Sequence, residues 1–205
     1  MFNFQYNNIG STLTLLVVLI LSEFFNVSRV IGAEVAFLLD NPEVFEKCDG
    51  HPGNGIHDLF DMSNVKIEID DYNMHTEGFV TMIWDVEETD RLVFRVEVFK
   101  FQRGTWQPTV YNIIRENFCD TAFYEHEIWH DAVMGTLKED ERICFNKKGA
   151  IYHFNVDNYM VFQTTNNNEL EGQHKMILTL EAFDKNGKKR PKTLCTQLKG
   201  EFTKI

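Results

Sequence analysis

The chain has 205 residues, of which 31 are acidic and 20 are Lys or Arg, and its formal net charge is −11 at pH 7. Such an acidic protein is a poor binder of nucleic acid or of an anionic membrane, because both attract clustered basic side chains. Its 18 phenylalanines predict a large aromatic interior, and the length suffices for one well-buried domain.

The N-terminal segment has the features of a cleaved secretion signal. Residues 13–21 form an apolar run that is too short to span a bilayer, which needs about 20 apolar residues. Small residues suitable for cleavage end at Ala33. We therefore predict a signal peptide over residues 1–33 and a single domain over residues 34–205. Cleavage nearer Ser22, or a short buried helix in place of a signal, are the alternatives.

All four cysteines lie downstream of that segment. An even number of cysteines behind a secretion signal predicts two disulfides and an extracellular, secreted protein. Four cysteines allow three pairings, and the residues alone leave the choice open.

Alternation of apolar and polar residues dominates the rest of the chain and predicts half-buried antiparallel strands. Five alternating stretches begin at Val65, Phe79, Leu92, Tyr152 and Met176. A last stretch covers residues 194–202.

Turn signals separate several of these stretches. Arg103-Gly104 and Asn186-Gly187 each divide two alternating runs, and Asn-Gly is a strong hairpin signal. About eight short strands with this punctuation favour a mainly β fold, a two-sheet antiparallel β-sandwich or β-cup.

One segment, residues 116–134, has apolar residues at helical rather than alternating spacing and predicts a single mid-chain helix. It contains the sequence HEIWH, in which His126 and His130 flank Glu127 as in zinc peptidases. That chemistry needs a third ligand, and no convincing one follows. We interpret the segment as an amphipathic helix with these three side chains in water and with Ile128 and Trp129 packed inward. A zinc metallopeptidase is a remote alternative.

A basic run stands out against the acidic background: Lys188, Lys189, Arg190 and Lys192. Such runs are usually solvated turn residues. The other interpretation is a docking point for an anionic head group or a partner.

Six short segments, in consistent order around the cysteines, carry a family resemblance: 41–48, 104–108, 117–120, 142–144, 148–152 and 195–200. They resemble the insect secreted proteins that include the chemosensory CheB group. Those proteins in turn look like the ganglioside activator protein and, more distantly, the ML lipid-recognition domains. The match covers nearly all of residues 40–205, although this chain has fewer cysteines than the ganglioside activator.

The resemblance implies a cup-like β-sandwich with an apolar cavity, and it selects the disulfides Cys48–Cys195 and Cys119–Cys144. It implies a secreted, monomeric binder or carrier of a lipid or small hydrophobic ligand, with a role in chemosensation or pheromone response. A membrane receptor or channel would be a further partner. No enzyme activity, catalytic residue, metal or cofactor is expected. The alternative function is an extracellular protein-interaction module with a filled core.

The candidate cavity wall consists of side chains that alternate with polar neighbours: Val80, Met82, Trp84, Phe94, Val96, Val98, Met176, Leu178 and Leu180. Trp106 at a strand start and Trp129 on the predicted helix are expected near the mouth. Alternation does not distinguish a cavity wall from a filled core, so the cavity itself is an implication of the resemblance.

Overall fold

The computed structural model describes residues 33–41, 44–70, 73–164 and 170–205. The predicted signal peptide, apart from Ala33, lies outside these residues. No helix in the described ranges is long and apolar enough to cross a membrane.

The strands in chain order are β1 (Ala33–Leu39), β2 (Glu46–Lys47), β3 (Phe60–Asp70), β4 (Asn73–Met82), β5 (Arg91–Gln102), β6 (Thr105–Arg115), β7 (Ile151–Tyr159), β8 (Val161–Thr164), β9 (Gly172–Phe183) and β10 (Leu194–Lys204). The described part of the chain has one α-helix, α1 (Phe118–Thr121). Short 3-10 turns cover Ile56–Asp58, Met134–Thr136 and Glu139–Glu141.

The strands form two antiparallel sheets. The larger sheet has seven strands in the order β6-β5-β9-β10-β1-β8, with the short β2 also paired to β10. The smaller sheet has the order β3-β4-β7. The predicted mainly β, two-sheet architecture is therefore confirmed.

Local backbone chemistry fixes two of the strand pairings. In the β5–β6 hairpin, Arg103 and Gly104 have φ of 52° and 80°, as the favoured two-residue hairpin turn requires. Gly78 in β4 has φ of +120°, and a Cβ there would lie 1.9 Å from the carbonyl oxygen of Asn64. Only glycine lets β3 approach β4 this closely, at the bulge that precedes Asn64.

The mid-chain helix is present but covers only four residues, so the prediction of a helix over 116–134 is wrong beyond Thr121. Past α1 the chain forms successive turns, in which the N–H groups of Glu127 and His130 donate to carbonyls three residues earlier. Tertiary contacts explain the change. The Trp129 indole donates to the carbonyl of Ala122, and a buried ion pair holds Glu127.

Alternation also missed three strands, one of them the two-residue β2, and extended another too far. β1 lies between β10 and β8, and its residues Val35 and Ala36 are both fully buried, so no polar alternation is visible. β8 is short and was not predicted either. β4 ends at Met82, so Trp84 and Val86 are buried outside any strand.

Both disulfides that the resemblance implies are confirmed, Cys48–Cys195 and Cys119–Cys144. The first packs with Ile177 and Phe99 in a small separate apolar cluster. Disulfides of this kind are compatible with an extracellular protein.

The space between the sheets has two distinct parts. In the packed half, the inner side chains are at most 1% exposed; these are Leu59, Met82, Trp84, Leu92 and Ala182. In the cavity half, the inner side chains remain half-buried; these are Ile67, Met74, Thr76, Val156, Asn158 and Leu178.

Two neighbouring strands pass from one half to the other. Along β4 the inner face changes from the buried Met82 to the half-buried Met74, and along β7 it changes from the buried Tyr152 to the half-buried Asn158. Because both strands lose burial in the same direction, we conclude that the sheets diverge there. Beyond that region a second cluster, Val35, Phe37 and Phe202, packs the larger sheet again.

Candidate ligand cavity

A cavity of about 230 Å³ lies where the two sheets diverge. Side chains from both sheets and from the mid-chain segment line it, and none of them is charged. They are Phe45, Ile56, Phe60, Met62, Val65, Ile67, Met74, Thr76, Val80, Phe94, Phe118, Trp129, Ala132, Val133, Met134, Phe145, Tyr152, Phe154, Val156, Asn158, Leu178, Leu180, Leu194 and Thr196.

Strand register places the wall residues of the smaller sheet in rows. Val80 lies opposite Tyr152, Thr76 opposite Val156, and Met74 opposite Asn158. These rows belong to one face because side chains two residues apart point to the same side of a strand. The smaller sheet therefore presents a continuous wall that is apolar at its buried end and carries two polar groups at its half-buried end.

The larger sheet supplies the opposite wall from three adjacent strands. Leu180 on β9 lies opposite Phe94 on β5 and Leu194 on β10. In the next row Leu178 lies opposite Thr196, whose hydroxyl donates to the carbonyl of Glu46 at 2.9 Å. This wall therefore offers aliphatic surface with its polar group already bonded.

Aromatic rings close the buried end of the cavity. Trp129 packs edge-on against Phe94 at 5.1 Å and tilted against Phe118 at 5.2 Å between ring centroids. Its indole N–H is satisfied by the carbonyl of Ala122 at 2.9 Å. Since the polar handle of Trp129 is already bonded, the ring presents hydrophobic surface to the cavity.

Tyr152 also lies at the buried end of the cavity with its polar group already hydrogen-bonded. Its hydroxyl donates to the carbonyl of Cys144 at 3.1 Å, next to the Cys119–Cys144 disulfide. Burial raises the pKa of Tyr152 far above its usual range, so its side chain stays neutral.

The predicted wall residues divide into two groups. Five of them line the cavity: Val80, Phe94, Trp129, Leu178 and Leu180. Met82 and Trp84 are instead buried in the packed half, where the sheets are closest.

The other predicted wall residues lie beside the cavity. Val96 is the cross-strand partner of Leu178 but is buried at 6% exposure and contributes nothing to the lining. Val98 lies opposite Met176, which packs against the second cluster. Trp106 packs against Phe101 and beneath the ammonium of Lys175, so its expected place near the mouth is wrong.

Much of the lining that sequence reasoning missed comes from irregular segments. Phe45, Ile56 and Phe145 lie in turns or loops, where no periodic pattern marks an inward side chain. Phe154 and Val156 are different, because their alternation on β7 was visible and could have placed them in the wall.

The HEIWH sequence forms a structural ion pair. Glu127 is only 5% exposed, and Arg115 holds both its carboxylate oxygens, at 2.7 Å from Nε and 2.9 Å from Nη2. This bond raises the pKa of Arg115. The prediction that Glu127 faces water and Ile128 packs inward is therefore wrong, since Ile128 is 64% exposed. Among the described residues, no group of three or more His, Cys, Asp or Glu side chains could hold a metal ion.

No family model matches the chain. A search of curated proteins also finds no match.

Proposed function

We propose that the protein is a secreted binder or carrier of a small apolar molecule or of a single lipid chain, which it holds in the cavity between its sheets. The observation that carries this proposal is the lining. It combines aliphatic and aromatic side chains from both sheets without one charged group. Concave, mostly apolar sites with a few polar groups are typical of small-molecule binding.

The size of the cavity limits the ligand. A volume of about 230 Å³ lies just below the range of roughly 300–1,000 Å³ that is usual for small-molecule sites. The cavity therefore suits one small apolar molecule of a few rings or a single lipid chain. A longer molecule would extend past the half-buried residues of the cavity half.

The polar groups suggest the orientation of the ligand. Thr76 and Asn158 line the half-buried end on adjacent rows of the smaller sheet, while the buried end is aromatic. We expect an apolar body against Trp129 and a neutral polar head near Asn158. A charged head would lack a counter-charge in the lining and would lose its hydration there.

The sequence resemblance to secreted chemosensory proteins, the ganglioside activator and the ML domains supports the same proposal. Members of such a group bind lipids or hydrophobic molecules and are not enzymes. The resemblance also supports a role in chemosensation or pheromone response, in which the protein acts with a membrane receptor or channel. The two disulfides fit the extracellular setting that this role requires.

Titration with the fluorescent apolar probe N-phenyl-1-naphthylamine tests the proposal. Two valine-to-aspartate variants form a matched pair. Val156→Asp places a carboxylate in the cavity wall, whereas Val110→Asp places it on β6 at a position that is 85% exposed. We expect the wild type and Val110→Asp to bind the probe with equal affinity.

Val156→Asp should bind the probe at least about tenfold more weakly, because an apolar ligand would have to desolvate the carboxylate. Circular dichroism would establish that the variant is folded. Equal binding by Val156→Asp and wild type, or no binding by the folded wild type, would contradict the proposal. The latter outcome would favour an interaction module instead.

A further inference from the structure

A second concave feature lies at the end of β4 and beside the connection between β9 and β10. This basic cleft has a volume of about 420 Å³. Its lining is Trp84, Asp85, Asp184, Lys188, Lys189, Arg190, Pro191 and Lys192. Four basic and two acidic side chains thus face one another on a chain whose net charge is −11.

Two of the four basic groups have structural roles. Arg190 makes a two-pronged ion pair with the buried Asp90, at 2.8 Å from both Nε and Nη2. Lys189 pairs with Glu181. These contacts hold the β9–β10 connection against the end of the sandwich and leave little positive charge from either residue for a ligand.

The two acidic groups are also engaged. Asp85 pairs with Lys148 at 3.0 Å, outside the cleft lining. The carboxylate of Asp184 accepts the backbone N–H groups of Asn186 and Lys188, at 2.8 and 2.9 Å. Neither carboxylate forms an ion pair with a lysine of the cleft.

Lys188 and Lys192 therefore form no salt bridge, although Asp184 and Asp85 interact with them electrostatically at longer range. Within the described residues, no carboxylate lies at salt-bridge distance from either ammonium group. The contact of Lys192 is a long one, 3.4 Å from its Nζ to the carbonyl oxygen of Asp58. Two cations without a salt-bridge partner on one side of a concave surface raise the positive potential there.

Trp84 adds an independent observation. It is 1% exposed, it packs in the main core cluster, and it also lines the cleft. Its indole N–H is buried, and no acceptor for it exists among the residues that the structure describes. Buried polar groups without partners are uncommon in folded proteins, so this N–H makes Trp84 an unusual residue of the cleft wall.

We infer that this cleft binds a phosphate-bearing ligand, with Lys188 and Lys192 holding the phosphate oxygens. A phosphomonoester carries a charge of about −1.5 to −2 at neutral pH, which matches the two ammonium groups that lack a salt-bridge partner. Lysines bind phosphate as point charges and do not need a planar fork of donors. The inference is independent of the apolar cavity. The same chemistry would serve a soluble phosphate compound or the head group of a phospholipid.

Calorimetric titration of the secreted protein with inorganic phosphate, and co-sedimentation with vesicles of phosphatidylcholine containing phosphatidic acid, test this inference. We expect binding to at least one of the two probes. Lys188→Ala and Lys192→Ala should each weaken it about tenfold, as for loss of one charge-assisted contact. Lys185→Ala is the matched control, because Lys185 is exposed on the same connection but does not line the cleft.

Binding of inorganic phosphate would identify a site for soluble phosphates, and binding to vesicles alone would identify a head-group site. Either result supports the inference when the cleft variants lose affinity and the control does not. Absence of binding to both probes would overturn it. Equal losses for Lys185→Ala and Lys188→Ala would also overturn it, since they would indicate diffuse electrostatic attraction.

Discussion

The packed half and the cavity half of the sandwich are built by the same strands, but their inner side chains differ in burial. On β4, Met82 is buried among the core side chains of the packed half, whereas Met74 lines a cavity. On β7, Tyr152 lies at the buried end of the cavity with its hydroxyl hydrogen-bonded, whereas Asn158 lies at the half-buried end. The side chains at one end therefore stabilise the fold, and those at the other end leave space for a ligand.

The comparison teaches that the burial of the inner side chains, and not their apolar character alone, distinguishes the two halves. Both halves carry apolar inner residues, so the alternation of the sequence is nearly the same in each. Apolar residues that cannot reach the facing sheet leave space that a ligand can fill. The first three predictions below make the same substitution in both settings.

The largest contrast is expected from the Val→Asp series. Val96→Asp should cost about 3–5 kcal/mol, because position 96 is 6% exposed and offers the carboxylate no partner. Val156→Asp should cost about 1–2 kcal/mol, since position 156 is half-buried. Val110→Asp should change the free energy of unfolding by about 0.5 kcal/mol or less. Urea denaturation measures all three. Equal costs at positions 96 and 156 would mean that the core is uniformly solid.

The two methionines of β4 provide a conservative version of this test. Met82→Ala should cost about 2–5 kcal/mol, because it opens a void in close-packed surroundings. Met74→Ala should cost about 1 kcal/mol or less, because Met74 already borders empty space. Guanidinium denaturation of both variants gives the comparison. A larger cost at position 74 would reverse the assignment of the two halves.

Enlarging a leucine should have opposite signs in the two halves. Leu92→Phe should destabilise the protein by about 1–3 kcal/mol through overpacking. Leu178→Phe should stabilise it by about 0.5–1 kcal/mol by filling the cavity, and it should weaken probe binding. Thermal unfolding and probe titration measure the two effects. If Leu178→Phe is the more destabilising change, the cavity wall is already close-packed.

The smallest effect concerns His174, which is fully buried against Phe202 at 5.0 Å between rings. Burial lowers its pKa from the ordinary value of 6.5, and the charge of Lys100 lowers it further, although the hydrogen bond to the Gly172 carbonyl opposes this. Below pH 6.5 the unfolded chain therefore binds a proton that the folded chain does not.

By linkage, the His174 contribution to stability is fully present above pH 6.5 and is lost as the pH falls, with a slope of at most about 1.4 kcal/mol per pH unit. We expect this part of the slope to disappear in His174→Gln between about pH 6.5 and 5, above the range where most carboxylates titrate. Urea midpoints at several pH values measure it. Identical pH profiles for the variant and the wild type would contradict the assignment.

The sequence predicts the sheets well because alternation reflects a local property of the strand. A residue such as Phe94 points inward whatever lies opposite, so its place on the inner face follows from its neighbours. The family resemblance added the disulfide pairing, which alternation leaves open. The fully buried β1 shows the limit, since Val35 and Ala36 carry no polar alternation.

The cavity itself was much less accessible to sequence reasoning. Val96 and Leu178 are cross-strand partners with the same alternation, yet only Leu178 borders the cavity. The difference depends on which distant segments cover each position. The mid-chain segment shows the same limit, because the burial of Glu127 depends on Arg115, a residue on a different element.

The central claim is that the cavity holds a small apolar molecule, and native mass spectrometry tests it most directly. The protein would be purified from a eukaryotic secretory host, with Val156→Asp and Val110→Asp prepared in parallel. We predict a complex with one small hydrophobic molecule for the wild type and for Val110→Asp, and the bare chain for Val156→Asp. A folded wild type that carries no ligand, and that takes up no N-phenyl-1-naphthylamine when this probe is added, would contradict the account.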